Sequence, residues 1–286
     1  MPLVTAAIIT HNRAHYLEDA VASVLGQTID DLELVVVDDG STDDTQDVLA
    51  PYLDRVRYAR QEHRGKAAAR NAAVALAQGE LIGFCDSDDV WCPDRVERQL
   101  AAFAEHPDVG MVHGQVELVD PALRPLPDRT AAHRALFSTA HRRGASYASY
   151  AYDCRCMSST ILVRREVFDI VGPYDPELPI EDYDFYLRLL LRFDVFFLDG
   201  PPLAWYRVHP EKTTETELTA GQIRTAEKHL ALLDELPDIP DARAARRNFH
   251  LMIAQTWRVH GDRRRARAAA LRALRLGSPR ALRLAR

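Results

Sequence analysis

The sequence predicts an α/β fold with a doubly wound, mostly parallel sheet, flanking helices and a helical C-terminal extension. In the first 106 residues, short apolar segments alternate four times with segments of helical periodicity. The apolar segments are rich in β-branched residues, as in "LELVVV", which suits strands buried on both faces. Strands separated by helices of this length are typical of a parallel sheet.

The alternation predicts four strands and four helices in residues 1–106. Strands are predicted at 5–10, 32–37, 56–60 and 80–85. Helices are predicted at 14–27, 41–53, 65–79 and 93–106. Ser41 or Thr42 is the expected N-cap of the second helix, Gly79 closes the third, and Pro93 lies near the first turn of the fourth.

The rhythm changes after Pro107, and the remaining elements are less regular. We expect a strand at 109–120, a loop from 121 to 153, and a strand followed by a helix at 158–172. An amphipathic helix at 181–193 and a strand with a turn at 195–209 follow, and the chain is helical from about residue 218.

Composition excludes several classes of protein. The 286 residues are 47% hydrophobic, and the formal charge of −6 gives no reason to expect nucleic-acid binding. The four cysteines form no C-x-x-C pair, so a zinc site or disulfide framework is not expected. No signal peptide and no run of 18 apolar residues is recognisable, which predicts a cytoplasmic protein.

Polar residues follow three of the predicted parallel strands at their carboxyl ends. These segments are Thr10-His11-Asn12-Arg13, Asp38-Asp39-Gly40-Ser41 and Asp86-Ser87-Asp88-Asp89. Carboxyl ends of parallel strands lie at one edge of the sheet, where open α/β sheets bind ligands. The three segments are therefore expected to share one crevice.

The residue types in this crevice suggest a metal-assisted nucleotide site. Asp38 or Asp39 can accept hydrogen bonds from a base or ribose, and Asn12 and Arg13 can frame the same ligand. Asp86 and Asp88 can converge on Mg²⁺ or Mn²⁺, which would bridge phosphate oxygens and relieve the repulsion between neighbouring carboxylates. Further phosphate contacts are expected from Arg60, Lys66 and Arg70.

Structural explanations of the same residues stay open. D-D-G-S is also common in a simple turn, a lone D-x-D is a weak signal, and Asp89 could cap the next helix. Arg13 could be a solvated residue at a helix start. Only the joint occurrence at three strand ends favours the nucleotide site.

Residues 3 to about 105 resemble the family 2 glycosyltransferases of the GT-A fold. The resemblance is carried by "VTAAIITHNRAHYLEDAVASVLGQTIDDLELVVVDDGSTDDT" and "GKAAARNAAVALAQGELIGFCDSDDVWCPDRV", and it resumes at "ILVRREVFDIVGPYDPELPIEDYDFYLRL" and "WYRVH". It implies a catalytic domain over 1–211, with a nucleotide-sugar half at 1–106 and an acceptor half at 107–211. Residues 212–286 would be the helical extension. The resemblance does not include residues 120–155 or 212–286.

The resemblance also implies roles for single residues in an inverting transferase. The donor would be a nucleotide-diphosphate sugar, most simply a UDP- or dTDP-sugar, and the acceptor a saccharide, a lipid-linked sugar or a small molecule. The implied donor-binding residues are Thr10, Asn12, Arg13, Asp39, Lys66, Arg70, Asp86 and Ser87. Asp88 would be the main ligand of Mg²⁺ or Mn²⁺, and His209 would approach the metal or the diphosphate.

The general base implied by the resemblance is Asp182, with Glu181 and Asp184 beside it. A carboxylate must take the proton of the acceptor hydroxyl, and a helix N-terminus favours its ionised form. The structural alternative is that Glu181 and Asp182 only complement the helix dipole.

Other functions remain as alternatives. A haloacid-dehalogenase-like phosphatase would use Asp86 as nucleophile, but Lys212 and Lys228 are not followed by the acidic pair that class needs. A non-catalytic sugar-nucleotide binding protein would not need the acidic set. Nucleotidyltransferases and dinucleotide-dependent oxidoreductases carry glycine-rich loops after the first strand, whereas this chain has "THNRAHY".

Two further regions suggest contacts with an acceptor or a membrane. Tyr147, Tyr150 and Tyr152, or Trp91 and Trp205, could cover the apolar face of an acceptor, although core positions explain them equally well. In the C-terminal segment, arginines accompany the apolar residues Leu271, Leu274 and Leu276. Such a basic amphipathic helix could lie on the inner membrane face, or simply pack on the catalytic domain.

Overall fold

The computed structural model describes residues 3–136, 145–154, 156–212, 215–236 and 238–285. The chain divides into two compact units. The first comprises Met1–Gly144, Cys156–Pro176 and Phe193–Lys212, and the second comprises Ala145–Arg155, Glu177–Arg192 and Thr213–Arg286. These units are defined by contacts between residues. They do not test the predicted functional boundaries at residues 106 and 211, which remain predictions.

Two sheets form the framework of the first unit. Its strands are β1 Val4–Thr10, β2 Leu32–Asp38, β3 Val56–Arg60, β4 Leu81–Asp86, β5 Val90–Trp91, β6 Val109–Gly114, β7 Val116–Val119, β8 Leu162–Arg164, β9 Asp194–Leu198 and β10 Ala204–Arg207. The larger sheet has the order β3-β2-β1-β4-β8-β6-β9, and only β8 runs antiparallel to its neighbours. The smaller sheet has the order β5-β10-β7. The predicted doubly wound, mostly parallel sheet is confirmed.

Helices cover the larger sheet because its central strands are apolar on both faces. The helices of the first unit are Ala14–Leu25, Thr45–Leu49, Lys66–Leu76, Arg95–Glu105, Pro127–Leu136 and Arg165–Val171. Leu17 and Val21 of the first helix pack in the core with Ile8 and Val36 of the strands. Such burial contributes roughly 1.5–3 kcal/mol for each large apolar side chain.

Two predicted helix ends were wrong because the predicted capping residues make tertiary contacts instead. The second helix begins at Thr45 after Asp44, since the Ser41 hydroxyl accepts the Asn12 N–H instead of capping a helix. The third helix ends at Leu76. Gly79 lies beyond it, where an added Cβ would stand 2.5 Å from the backbone nitrogen of Thr5.

The middle of the chain also differs from the prediction. The single strand expected at 109–120 is divided at Gln115 into β6 and β7, which belong to different sheets. The stretch expected to be a loop contains two helices, Pro127–Leu136 and Tyr147–Tyr150. The first of these is tied to β7, because Thr130 Oγ1 accepts the Leu118 N–H at 3.0 Å. A hydrogen bond of this kind cannot be predicted from the periodicity of the local sequence.

The second unit is helical within the described residues. Its helices are Tyr147–Tyr150, Glu181–Leu189, Glu215–Glu235, Ala242–Val259, Arg263–Arg275 and Ala281–Ala285. In Arg263–Arg275 the buried residues are alanines, among them Ala266 and Ala270, and Leu271 is exposed. The arginine-rich helix therefore packs through its alanine face rather than through leucines. No helix in the described part of the chain is both long and apolar enough to cross a membrane.

Candidate active site

The three polar segments lie at adjoining strand ends, as predicted. Thr10 pairs in register with Asp38 on β2, and Ile9 pairs with Asp86 on β4. All three strands are parallel, so their carboxyl ends form one continuous stretch of the sheet edge. This edge is the candidate active site of the first unit.

Asn12 connects the segment after β1 with the segment after β2. Its backbone is left-handed, with φ at 52°, a conformation that Asn tolerates better than most residues. Its backbone N–H donates to Ser41 Oγ at 3.0 Å, and its Oδ1 accepts the Thr42 N–H at 2.8 Å. Beside it, Thr10 Oγ1 is buried and has no hydrogen-bond partner within the described residues. A buried hydroxyl of this kind is suited to a ligand.

Asp38 and Asp39 have different partners. Asp38 is fully buried, and its carboxylate accepts the Ser41 N–H at 2.7 Å and the Tyr58 hydroxyl at 2.9 Å. It therefore holds the turn rather than facing a ligand. The sequence left the choice between the two residues open. Both are buried, but Asp38 is committed to its own turn and to Tyr58, whereas Asp39 contacts the segment that lines an open cleft, which leaves Asp39 as the better candidate.

The Asp39 carboxylate anchors the segment 61–65 that precedes helix Lys66–Leu76. It accepts hydrogen bonds from Gln61 Nε2 at 2.6 Å, from Arg64 N at 2.9 Å and from Gly65 N at 2.8 Å. His63 Nδ1 also lies 2.8 Å from it. An open cleft beside this segment is lined by Gly40, Arg60, Gln61, Glu62 and His63. Gly40 is required there, because its φ is +76° and a Cβ would stand 2.8 Å from His63 N.

Arg13 contacts the segment that follows β10. Its guanidinium donates to Glu211 Oε2 at 2.8 Å and to the Glu211 carbonyl oxygen at 2.6 Å. The loop 208–212 is thereby tied to the end of β1. Sequence reasoning missed this partner, which lies 198 positions away in the chain.

The acidic segment after β4 is a tight turn in which Asp89 N donates to the Asp86 carbonyl oxygen at 2.9 Å. Asp86 is about one-third exposed, and its carboxylate accepts from Arg70 NH2 at 2.9 Å. The Arg70 guanidinium is itself buried over the Phe84 ring. Ser87 is buried in the same turn, and Lys66 is the first residue of the helix that carries Arg70.

Asp88 is held between two basic side chains. His209 Nε2 lies 2.9 Å from Asp88 Oδ2, and Lys212 Nζ lies 2.9 Å from Asp88 Oδ1. Burial by itself would raise the pKa of Asp88, but the Lys212 ammonium and the His209 hydrogen bond outweigh it and hold that pKa below its usual value. Asp88 is therefore ionised at neutral pH.

Asp89 is fully buried and does not cap the next helix. Its Oδ1 accepts from Lys212 Nζ at 3.0 Å and from Arg207 N at 3.1 Å, and its Oδ2 accepts from the Ser159 hydroxyl at 2.6 Å. Burial, opposed by Lys212 and reinforced by Asp88, raises the pKa of Asp89 above its usual value. Ser159 Oγ also accepts the Asp86 N–H at 3.1 Å, so this hydroxyl fixes both ends of the acidic turn.

These contacts identify Lys212 as a site residue that sequence reasoning did not place there. The chain has only three lysines, and this one follows His209 by three positions. That short spacing was the available signal. In the structure its ammonium offsets the repulsion between Asp88 and Asp89.

The donor set partly fits a divalent cation. In the ranges that the structure describes, no group of three or more His, Cys, Asp and Glu side chains is arranged to hold a metal by itself. Mg²⁺ is commonly held by one or two protein ligands together with phosphates and water. Asp88 and His209 could supply such an incomplete set, although Lys212 contacts one of the Asp88 oxygens.

The predicted base lies in the second unit, at the start of helix Glu181–Leu189. Asp182 is half-buried and its Oδ1 accepts the Tyr183 N–H at 2.7 Å, whereas Glu181 is buried. Asp184 is fully buried between Arg188 Nε at 2.8 Å and Lys228 Nζ at 2.8 Å. Asp182 is therefore the most accessible of the three carboxylates.

The aromatic residues expected near an acceptor are mostly core residues. Tyr147, Tyr150 and Trp91 are buried, and the Tyr152 hydroxyl donates to Gln255 Oε1 at 2.9 Å. Trp205 is 39% exposed, and Tyr152 is partly exposed. The exposure of Trp205 is compatible with a role in acceptor binding.

Comparisons with known proteins agree with this geometry. The family model described as glycosyl transferase family 2 matches residues 5–169. An uncharacterized glycosyltransferase of Nostoc sp. is 35% identical over 183 residues, which cover 60% of this chain and 54% of the relative. The matched segment thus spans about half the length of that relative.

Solved structures show the same fold. The crystal structure of S. aureus TarS 1-349 in complex with UDP-GlcNAc superposes with a TM-score of 0.69 at 18% identity, covering 99% of this chain and 84% of that chain. The mannosyltransferase PcManGT from Pyrobaculum calidifontis, in complex with GDP-Man and Mn²⁺, gives a TM-score of 0.66 at 22% identity, covering 99% and 78%. At these identities the likeness extends to the fold alone.

Proposed function

Because the chain belongs to glycosyl transferase family 2 and has the GT-A fold, we propose that it transfers a sugar from a nucleotide-diphosphate donor to an acceptor hydroxyl with inversion. The observation that carries this proposal is the position of Asp88. It lies at the end of β4 beside the ends of β1 and β2, and His209 is within hydrogen-bond distance. A diphosphate at this sheet edge would meet both residues.

The nucleoside half of the donor would bind at the ends of β1 and β2. Asp39 and the unpaired Thr10 hydroxyl offer polar atoms to the base and ribose, and Asn12 and Arg13 shape the same wall. Lys66, Arg70, Asp86 and Ser87 surround the expected position of the diphosphate. The donor is a UDP- or dTDP-sugar in this proposal. TarS binds UDP-GlcNAc and PcManGT binds GDP-Man, so GDP-sugars belong in the same test.

A divalent ion, Mg²⁺ or Mn²⁺, held by Asp88 and His209 would supply positive charge to the departing diphosphate. The protein contributes the remaining steps. Asp182 takes the proton from the acceptor hydroxyl, and Glu181 beside it keeps the local potential negative. The N-terminal position of both on helix Glu181–Leu189 favours the ionised carboxylate.

Membership of this family argues against the phosphatase alternative, since the matched residues 5–169 include Asp86. Lys212 does reach the acidic turn, but it contacts Asp88 and Asp89. A non-catalytic binding protein would bind the donor without transfer, and a turnover assay separates it from the enzyme.

The C-terminal helices support a second, separate proposal of peripheral membrane contact at an anionic surface. Helix Arg263–Arg275 leaves Arg264, Arg267 and Arg275 exposed together with Leu271, and Leu282 is half-exposed on the following helix. From residue 263 to residue 285 the sequence contains no acidic residue. A surface of this charge complements anionic lipid headgroups, which suits a lipid-linked acceptor at the cytoplasmic membrane face.

The donor can be identified by thermal shift. A ligand that binds only the folded state raises stability by RT ln(1 + [L]/Kd), so UDP-, dTDP- and GDP-sugars should be screened with and without Mn²⁺. We expect one nucleotide to give the largest shift, and that shift should require Mn²⁺. The absence of any shift with every nucleotide sugar would contradict the proposal.

A further inference from the structure

Lys212 contacts the Asp88 carboxylate, which the proposed metal ion would need as a ligand. Its ammonium forms ion pairs of 2.9 Å with Asp88 Oδ1 and 3.0 Å with Asp89 Oδ1. It also lies 3.9 Å from the centroid of the Tyr206 ring, a distance suited to a cation–π contact. Four-fifths of the side chain is shielded from solvent. The Lys212 ammonium therefore neutralises the acidic turn in this structure.

A divalent ion and this ammonium compete for the same carboxylate. Two positive groups that share Asp88 would repel one another strongly at such short range. If free metal enters first, the ammonium loses its ion pair with Asp88 and gains no new anion from the metal in exchange. If the metal enters with a diphosphate, the displaced ammonium gains phosphate oxygens as new partners. Binding of the metal together with a diphosphate is therefore favoured over binding of the metal alone.

The segment that carries Lys212 also carries a second residue that contacts Asp88 and a residue that anchors the segment. His209, which faces the other Asp88 oxygen, and Glu211, which binds Arg13, belong to the same short segment after β10. One segment thus presents a metal-type ligand and a competing cation to a single carboxylate. Arg13 holds the segment at the end of β1, so the ammonium would remain beside the diphosphate after leaving Asp88.

We propose that Lys212 is a cation gate, which keeps free metal off Asp88 and moves to the diphosphate when metal and donor bind together. This inference rests on the proposed function, because it requires a metal and a diphosphate at Asp88. Its consequence is positive coupling between the two ligands. By linkage, the factor by which nucleotide improves metal affinity equals the factor by which metal improves nucleotide affinity.

The coupling can be measured without any turnover. Mn²⁺ affinity is determined by electron paramagnetic resonance on the full chain, alone and with saturating UDP, GDP or dTDP, using the diphosphate that binds best. In the wild type we expect the diphosphate to tighten Mn²⁺ binding about 30-fold, within the range common for coupled sites. In Lys212→Met, free Mn²⁺ should bind about tenfold more tightly than in the wild type, because the competing charge is gone. The coupling should then fall below about fivefold.

Two further variants separate the possible failures. Lys212→Arg keeps the charge and should retain most of the coupling, while Lys212→Gln serves if the Met variant folds poorly by circular dichroism. Equal Mn²⁺ coupling in the wild type and in Lys212→Met would overturn the gate and leave the metal site standing. Unchanged Mn²⁺ binding in Asp88→Asn would overturn both the gate and the metal site assigned in the proposed function.

Discussion

His229 Nε2 lies 3.1 Å from Asp184 Oδ1, and both side chains are fully buried in the second unit. The Tyr147 hydroxyl is 2.9 Å from the other ring nitrogen of His229. Asp184 is two positions after the proposed base, on the same helix, and His229 belongs to helix Glu215–Glu235. A residue of the C-terminal extension therefore fixes the helix that carries Asp182.

This cluster predicts that acid destabilises the second unit. Burial would raise the pKa of Asp184, but its bonds to His229, Arg188 and Lys228 hold the pKa well below the usual value of 3.8. The stability that Asp184 provides is fully present above pH 3.8 and is lost as the pH falls below 3.8 toward the lower pKa of the folded state. Burial lowers the pKa of His229 below 6.5 despite Asp184. As the pH falls, His229 is therefore protonated in the unfolded chain before it is protonated in the folded protein. The free energy of unfolding thus already declines below about pH 6.5.

Urea denaturation between pH 7 and about pH 2, followed by circular dichroism, measures both parts of this decline: the His229 part above about pH 4 and the Asp184 part below it. Asp184→Asn should lower the free energy of unfolding at pH 7 by about 3 kcal/mol, because it removes one partner of a buried charged pair. It should also abolish the further decline below about pH 4 that protonation of Asp184 causes. The exposed Asp234 offers a matched control, since Asp234→Asn should follow the wild-type curve. A wild-type stability that is constant from pH 7 to pH 4 would refute the assignment.

Asp88→Asn tests the metal site. The substitution removes one negative charge at the expected position of the cation, so we expect transfer to fall about 10²–10³-fold. The chelator EDTA should slow the wild type by a similar factor and should have little further effect on the variant. Sugar-transfer rates measured at several Mn²⁺ concentrations provide both comparisons.

Asp94→Asn is the control for this experiment. Asp94 is an exposed acid near the same turn, and its loss should change the rate by less than about twofold. If Asp88→Asn retained transfer at the control rate, Asp88 would not be a metal ligand.

Asp182→Asn tests the base. The amide is nearly isosteric but cannot accept the hydroxyl proton, so kcat should fall about 10²–10⁴-fold while donor affinity stays close to that of the wild type. Asp169, an exposed acid on helix Arg165–Val171, provides the matched Asp→Asn control. Rates and calorimetric donor binding are measured together. Loss of donor binding in parallel with rate would show instead that Asp182 supports the donor site.

The arginine-rich helices predict binding to anionic vesicles. Each basic residue near an anionic surface contributes about 1 kcal/mol, and salt screens this attraction. The triple variant Arg264→Gln, Arg267→Gln, Arg275→Gln should lose most sedimentation with phosphatidylserine vesicles, and the wild type should lose it at high salt. Neutral phosphatidylcholine vesicles should bind neither protein. Equal sedimentation of variant and wild type would rule out this surface.

Much of the fold followed from local pattern. Each of the first four strands was predicted to within about one residue, because a strand buried on both faces needs a continuous apolar run whatever surrounds it. The same logic placed Asp39 and Asp88 at one edge, since parallel strands leave their carboxyl ends together. Helix ends were less predictable. The Ser41 hydroxyl, for example, accepts the Asn12 N–H and does not cap a helix.

The sequence by itself determined the mostly parallel sheet, the positions of its first four strands along the chain and the set of acidic residues at their ends. These follow from hydrophobic periodicity and from the geometry of any parallel sheet. Only the tertiary structure decided which distant cation neutralises each acid: Lys212 for Asp88 and Asp89, Arg70 for Asp86, and Lys228 for Asp184. Ion pairs depend on distances between residues far apart in the chain, and no local pattern encodes those distances.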